Sequence, residues 1–169
     1  MRLAVGCIAC AMMLLLLTAP VLGVSDDISA TADVQTPLTV TGSHNLVFGT
    51  VYPGVNKSIP YTDANAGQWD ITGQDGAEVQ LTFTNLPANL TSGANSLPIV
   101  YGADAAAYHT SDAPGSGTSF NPAAGATTNL DAATGQLYVW IGGEVQPPET
   151  QPAGNYTATI TLNVSYTGN

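Results

Sequence analysis

From Tyr156 to Tyr166 the sequence alternates without a break. Tyr156, Ala158, Ile160, Leu162, Val164 and Tyr166 are apolar or small, and Thr157, Thr159, Thr161, Asn163 and Ser165 between them are polar. A period of two sends successive side chains to opposite faces of an extended chain, so the segment predicts a strand with one face in a core and one in water. At roughly 3.4 Å per residue that strand would run on the order of 35 Å, with Gly154-Asn155 as the turn before it.

Other segments fit the same template. Val79, Leu81 and Phe83 alternate with Gln80, Thr82 and Thr84. Leu137-Tyr138-Val139-Trp140-Ile141 is apolar on both faces, which suits a central strand covered on both sides, and Gly142-Gly143 allows a bulge or sharp bend before Glu144-Val145. Asn45 to Phe48, Trp69 to Thr72 and Leu97 to Tyr101 are shorter candidates, separated by turn signals such as Pro53-Gly54 and Pro147-Pro148. Only 8% of the chain is charged; Thr, Asn, Ser, Gln and Gly supply the polar face, and no window from Val24 onward carries a capped helical repeat. The fold class expected is therefore all-β, a two-sheet antiparallel β-sandwich over residues 38–169. Gly102 to Asp131, rich in Ala, Gly, Ser and Pro, is expected to hold one short strand near Thr118 to Phe120. The rest of it reads as a solvated excursion or a ligand loop.

Met1-Arg2 is a short positive start, Leu3 to Leu17 is apolar, and Val21-Leu22-Gly23 offers a cleavage site after Ala19-Pro20. This is the pattern of a secretory signal peptide over residues 1–23, with a retained anchor as the alternative. Its removal would take away Cys7, Cys10 and Arg2, leaving Lys57 as the sole Lys or Arg against 12 Asp and Glu. A thiol-free, acidic chain excludes a disulfide scaffold and a cysteine zinc site. It also disfavours nucleic acid and anionic membrane partners, which require a basic surface. The expected location is secreted, outside the cell or on its surface.

The leader, residues 24–37, carries a second alternation. Ile28, Ala30, Ala32 and Val34 share a parity with Leu38 and Val40, while Ser29, Thr31, Asp33 and Gln35 face the other way. Pro37 divides the run, so Leu38 to Thr41 reads as the domain's first strand. Ile28 to Gln35 then reads as a strand donated to a neighbouring subunit, a strand of its own domain, or a tail. Burying Ile28 and Val34 in a neighbour would contribute about 1.5–3 kcal/mol each before ordering costs.

Chemistry is sparse. His44 and His109 stand apart from any acid or nucleophile motif, and neither HExxH nor GxSxG occurs, so no catalytic residue and no cofactor are expected. Asp63 and Asn65, with Asp70 nearby, have the first and third positions of a calcium loop but lack the glycine and the closing Glu of an EF-hand. Solvated turns explain them equally. Four Asn-x-Ser/Thr sites, at Asn56, Asn89, Asn155 and Asn163, are acceptors for N-glycans in a host with that machinery.

Two groups of residues carry a family resemblance. One is Leu46-Val47-Phe48-Gly49 with Tyr52-Pro53-Gly54 and Ile71-Thr72-Gly73. The other is Leu137-Tyr138-Val139 with Gly142-Gly143 and Pro152-Ala153-Gly154-Asn155-Tyr156-Thr157. Together they resemble a family of secreted prokaryotic β-sandwich proteins known only as a domain of unknown function, over about Val34 to Asn169. The family is similar to pilin-like and spore-coat-like surface subunits, which implies an immunoglobulin-like fold and a non-enzymatic structural role. The expectation is a filament or coat subunit that pairs with copies of itself or related surface subunits. The alternative is a monomeric adhesive or carbohydrate-binding module using Tyr101 or Tyr108 as sugar platforms.

Overall fold

The apolar run at 137–141 becomes the centre of the molecule. The computed structural model describes Gly23 to Gly168, so the expected signal peptide lies, apart from Gly23, outside the described residues. The strands are β1 (Thr39–His44), β2 (Lys57–Ile59), β3 (Gly67–Thr72), β4 (Glu78–Asn85), β5 (Asn89–Ser92), β6 (Asn95–Val100), β7 (Ala106–His109), β8 (Thr118–Phe120), β9 (Ala126–Asn129), β10 (Gln136–Ile141), β11 (Gly143–Val145) and β12 (Thr161–Tyr166). A single 3-10 turn, Pro114–Ser116, is the one helical element among the described residues. The all-β expectation holds, but with three sheets in place of two: β1-β3-β10-β7-β8, β2-β11-β6-β5 and β12-β4-β9. Every pairing is antiparallel.

The first core lies between the five-stranded and three-stranded sheets. Leu137, Val139 and Ile141 of β10 and Ile71 of β3 meet Val79 and Leu81 of β4 and Leu162 of β12, all buried. Aromatic contacts cross the layer: Trp69 stands edge-on to Phe83 (5.7 Å between centroids), and Phe83 and Tyr108 both pack on Phe120. A second core of Phe48, Ile59, Leu97, Ile99 and Val145 lies under the four-stranded sheet. One ribbon feeds both cores, because β10 ends at Ile141 and β11 begins at Gly143, in a different sheet. Gly142 makes that switch possible. A Cβ there would overlap the Ile59 carbonyl oxygen and stand 2.7 Å from the Tyr61 nitrogen, so only glycine lets the ribbon pass beside β2.

Three expectations are corrected by the pairing. The long terminal strand is only Thr161–Tyr166, with an irregularity at Thr161/Leu162, and Thr157 makes an isolated bridge to Thr91. Its parity survives, since Leu162 is buried, Ile160, Val164 and Tyr166 are half-buried, and the intervening polar residues are exposed. Asn45 to Phe48 is not a strand, although Leu46 and Phe48 still point inward. Gly102 to Asp131 is ordered into β7, β8 and β9, where one strand was expected. The sequence AAYH of β7 has no β-branched residue, but Ala106 and Ala107 are fully buried, and a Cβ built on Gly117 would stand 3.1 Å from that of Ala107.

The turn before β10 shows local chemistry doing the ordering. Asp131 accepts backbone bonds from Ala133 (3.0 Å) and Thr134 (2.9 Å), and a Thr134 hydroxyl bond, while Gly135 closes the loop at φ 61°. Those bonds, led by the one from Ala133, hold the Asp131 carboxyl below its ordinary value. A depressed carboxylate stabilises the fold above its unfolded pKa and loses that contribution as pH falls through the folded one. Replacement by Ala is therefore expected to lower Tm at neutral pH, with the difference narrowing as pH falls below the ordinary carboxylate value of 3.8. A pH-independent difference would show that the carboxylate charge is not what the turn uses. Gly142→Ala should cost about 3 kcal/mol in urea unfolding, through overpacking against β2; an unchanged midpoint would contradict the sheet-switch geometry.

Candidate functional site: an open apolar groove

The chain divides into two units, residues 1–33 and 34–169. Within the second unit, β1 is an edge of the five-stranded sheet and β12 an edge of the three-stranded sheet. Near Thr36 the two are tied together: the Tyr166 hydroxyl donates to the Thr36 carbonyl (2.6 Å), and the Thr36 hydroxyl donates to Gln74 Oε1 (3.0 Å). Past His44 on one side and before Thr161 on the other, the regular strands stop and the chain segments separate. Between them lies a groove of about 1010 Å³. Its walls are residues 44–53 and 151–160, and its floor includes Trp69, Leu90, Leu97, Ile99 and Ile141. It therefore runs along the line where the two cores meet.

The walls are strand-like in pattern, and among the described residues Leu46, Phe48, Tyr156 and Ala158 make no backbone hydrogen bond. Thr157 exchanges both backbone bonds with Thr91 (2.9 and 3.0 Å), and Asn85 Nδ2 reaches the Thr159 carbonyl (2.6 Å). In an extended chain the backbone groups of successive residues point to opposite sides, so those of Tyr156 and Ala158 face the groove. The opposite wall mirrors this. Val47 N–H donates to the Asn65 carbonyl (2.9 Å), which turns the backbone of Leu46 and Phe48 toward the gap. The groove thus has an apolar floor between two walls of strand-like pattern.

The other sites singled out from sequence are scattered. Ile28, Ala30 and Ala32 belong to the first unit, in which Gly23 to Asp33 has no regular structure; Ile28 is 96% exposed. Val34 opens the second unit, 90% exposed and outside any strand. Asn56, Asn89, Asn155 and Asn163 are all exposed, with Asn155 on the groove rim and Asn56 Nδ2 bonded to Glu144 (3.1 Å). Asp63 accepts from the backbone and side chain of Asn65 (2.8 Å each), which hold its carboxyl below its ordinary value. Asp70 is engaged on the outer face of β3 by the Ser43 hydroxyl (2.9 Å) and Gln68 Nε2 (3.0 Å). Among the described residues no three His, Cys, Asp or Glu side chains gather in a metal-binding group. His44 Nδ1 meets Gln68 Oε1 (3.0 Å), and His109 Nδ1 meets the Ser111 backbone.

Neither tyrosine considered as a sugar platform lies flat on the surface. Tyr108 packs on Phe120, and Tyr101 packs against both cores. The Tyr101 hydroxyl is buried without a partner among the described residues, and burial pushes its pKa up to about 12 from 10.0. A raised phenol pKa contributes stability that is full below pH 10 and lost as pH rises toward 12. Tyr101→Phe should therefore keep or raise Tm by removing an unpaired polar atom worth about 1 kcal/mol, and should flatten the alkaline limb of the stability curve. A fall of several degrees would mean that the hydroxyl has a bonding partner.

The groove residues were the part that sequence reasoning missed. Their signal was present: Leu46 and Phe48, like Tyr156, Ala158 and Ile160, alternate as strands do, and nothing in a sequence distinguishes a paired edge from a vacant one. No curated protein matches this sequence. The family model described as Domain of unknown function (DUF4402) matches residues 38–166, the greater part of the chain. The matched span runs from the residue before β1 to the last residue of β12 and includes both walls of the groove, and the chain belongs to that family.

Proposed function

We propose that the chain is a non-enzymatic subunit of a cell-surface filament or coat, exported by its N-terminal signal, with a pilin-like and immunoglobulin-like sandwich whose open side is filled by the leader of the next copy. Ile28, Ala30, Ala32 and Val34 of one subunit enter the groove of another, facing the half-buried Trp69 and Leu90 of its floor. Ile28 to Val34 spans about 20 Å when extended. The observation that carries this reading is the pairing of two incomplete halves in one chain. A segment patterned as a strand belongs to no strand, and a groove has strand-patterned walls whose Leu46, Phe48, Tyr156 and Ala158 make no backbone hydrogen bond among the described residues.

The topology of the second unit favours a head-to-tail arrangement. The leader joins the domain at Val34 to Thr36, at the end of β1 tied to Tyr166, whereas the groove begins beyond His44 at the other end of that strand. Eight residues of extended chain, about 27 Å, separate Thr36 from His44, so Val34 of a subunit cannot line its own groove. An interface between different surfaces does not close on itself as a two-fold dimer does, and it propagates. Edge composition agrees. Neither β1 nor β12 contains a lysine, a residue commonly used to keep strand edges from pairing.

Deletion of Val24 to Gln35 should leave a folded domain, judged by an unchanged cooperative thermal transition, that remains monomeric. The undeleted chain should form linear particles in negative-stain microscopy. Assembly that persists after the deletion would refute strand donation.

A further inference from the structure

Among the described residues Leu38 is the first to pack against a core, where its Cδ2 would stand 2.7 Å from a Cβ built on Gly73. Pro37 precedes it, with φ fixed by its ring. Thr36 is then held at each of its polar groups. Its N–H and its hydroxyl both donate to Gln74 Oε1 (3.3 and 3.0 Å). Its carbonyl accepts from the Tyr166 hydroxyl (2.6 Å), which itself accepts from the Gln74 N–H (2.7 Å). The lack of a side chain at residue 73 makes room for this clamp, since a Cβ built on Gly73 would stand 2.5 Å from Tyr166 Oη. The restraint ends abruptly: Gln35 makes no hydrogen bond among the described residues, and Val34 is 90% exposed.

For strand donation, on which this inference rests, that placement fixes how close successive subunits come. With Val34 in a neighbour's groove and Leu38 in its own core, four residues bridge the two, at most about 14 Å of extended chain. The two domains must therefore abut. Between them only Gln35 keeps both dihedrals unrestrained, because Thr36 is clamped and the Pro37 ring fixes φ. A longer Gly- or Ser-rich linker would let the domains swing independently. We infer that Gln74 and Tyr166 are positioning residues of assembly: by holding Thr36 they make leader and domain one stiff joint, so that successive copies of this chain repeat at a fixed spacing and angle. Neither residue lines the groove, nor does Thr36, so the clamp acts on the joint and leaves the seating of the strand alone.

Gln74→Leu and Tyr166→Phe, singly and together in the full chain, test the joint. In the dilute monomer the Thr36 amide should exchange more slowly than those of Val34 and Gln35, and about fivefold faster once Gln74→Leu removes its acceptor. Gln74→Glu, which keeps an acceptor oxygen, should exchange as the original does. In negative-stain images the original particles should be straight, with one narrow distribution of angles between successive subunits. The double variant should assemble to the same extent with a broad distribution, and so should a chain with Gly-Ser-Gly-Ser inserted after Gln35. If the double variant does not fold, Gln74→Leu alone carries the same reading. A Thr36 amide that exchanges as fast as Val34 in the original, or variant particles as straight as the original, overturn the stiff joint while leaving strand donation standing. A full chain that forms no linear particles overturns both.

Discussion

One ribbon of ten residues, Gln136 to Val145, determines the architecture. Its first half is the centre of the five-stranded sheet and its second half the partner of β2 and β6, and the change of sheet occurs at Gly142. Ile141 closes the first core and Val145 anchors the second, both fully buried. The edges of the five-stranded and three-stranded sheets, β1 and β12, are tied near Thr36 and Tyr166 and part beyond His44. The groove lies beyond that tie, and its lining includes Ile141 of the first core and Leu97 and Ile99 of the second.

A vacant strand position is costly to keep. An apolar groove with strand-patterned rims invites an extended segment, and many proteins block such edges with charge, proline or a short strand. Here the rims, residues 44–53 and 151–160, hold no Lys, Arg, Asp or Glu, and their prolines are Pro53 and Pro152. The lack of a charged guard is intelligible if a specific segment is meant to occupy the position. The leader has the parity, the length and the attachment point for a neighbour's groove.

Much of this was legible from residue patterns alone. Alternation located β4 and the inward residues of β12, the double-sided apolar run located β10, and Gly142-Gly143 marked the bend after it. Alternation failed where pairing, and not facing, was at issue. Asn45 to Phe48 and Tyr156 to Ile160 keep their side-chain parity without joining regular strands, because parity reports which way a side chain points and says nothing of what lies beside the backbone. β7 was missed for the opposite reason. Its alanines are fully buried between β10 and β8, a tertiary placement that outweighs their low strand propensity. The groove lay beyond reach because it is formed by segments about 100 residues apart in sequence.

The central claim is that the leader of one copy becomes a strand of another. Amide hydrogen exchange of the full chain, compared between dilute monomer and assembled material, tests it most directly. The account predicts slow exchange at Ile28 to Val34, together with new protection at Leu46, Phe48, Tyr156 and Ala158 on the groove rims, in the assembled state only. Leader amides that exchange equally fast in both states would contradict it.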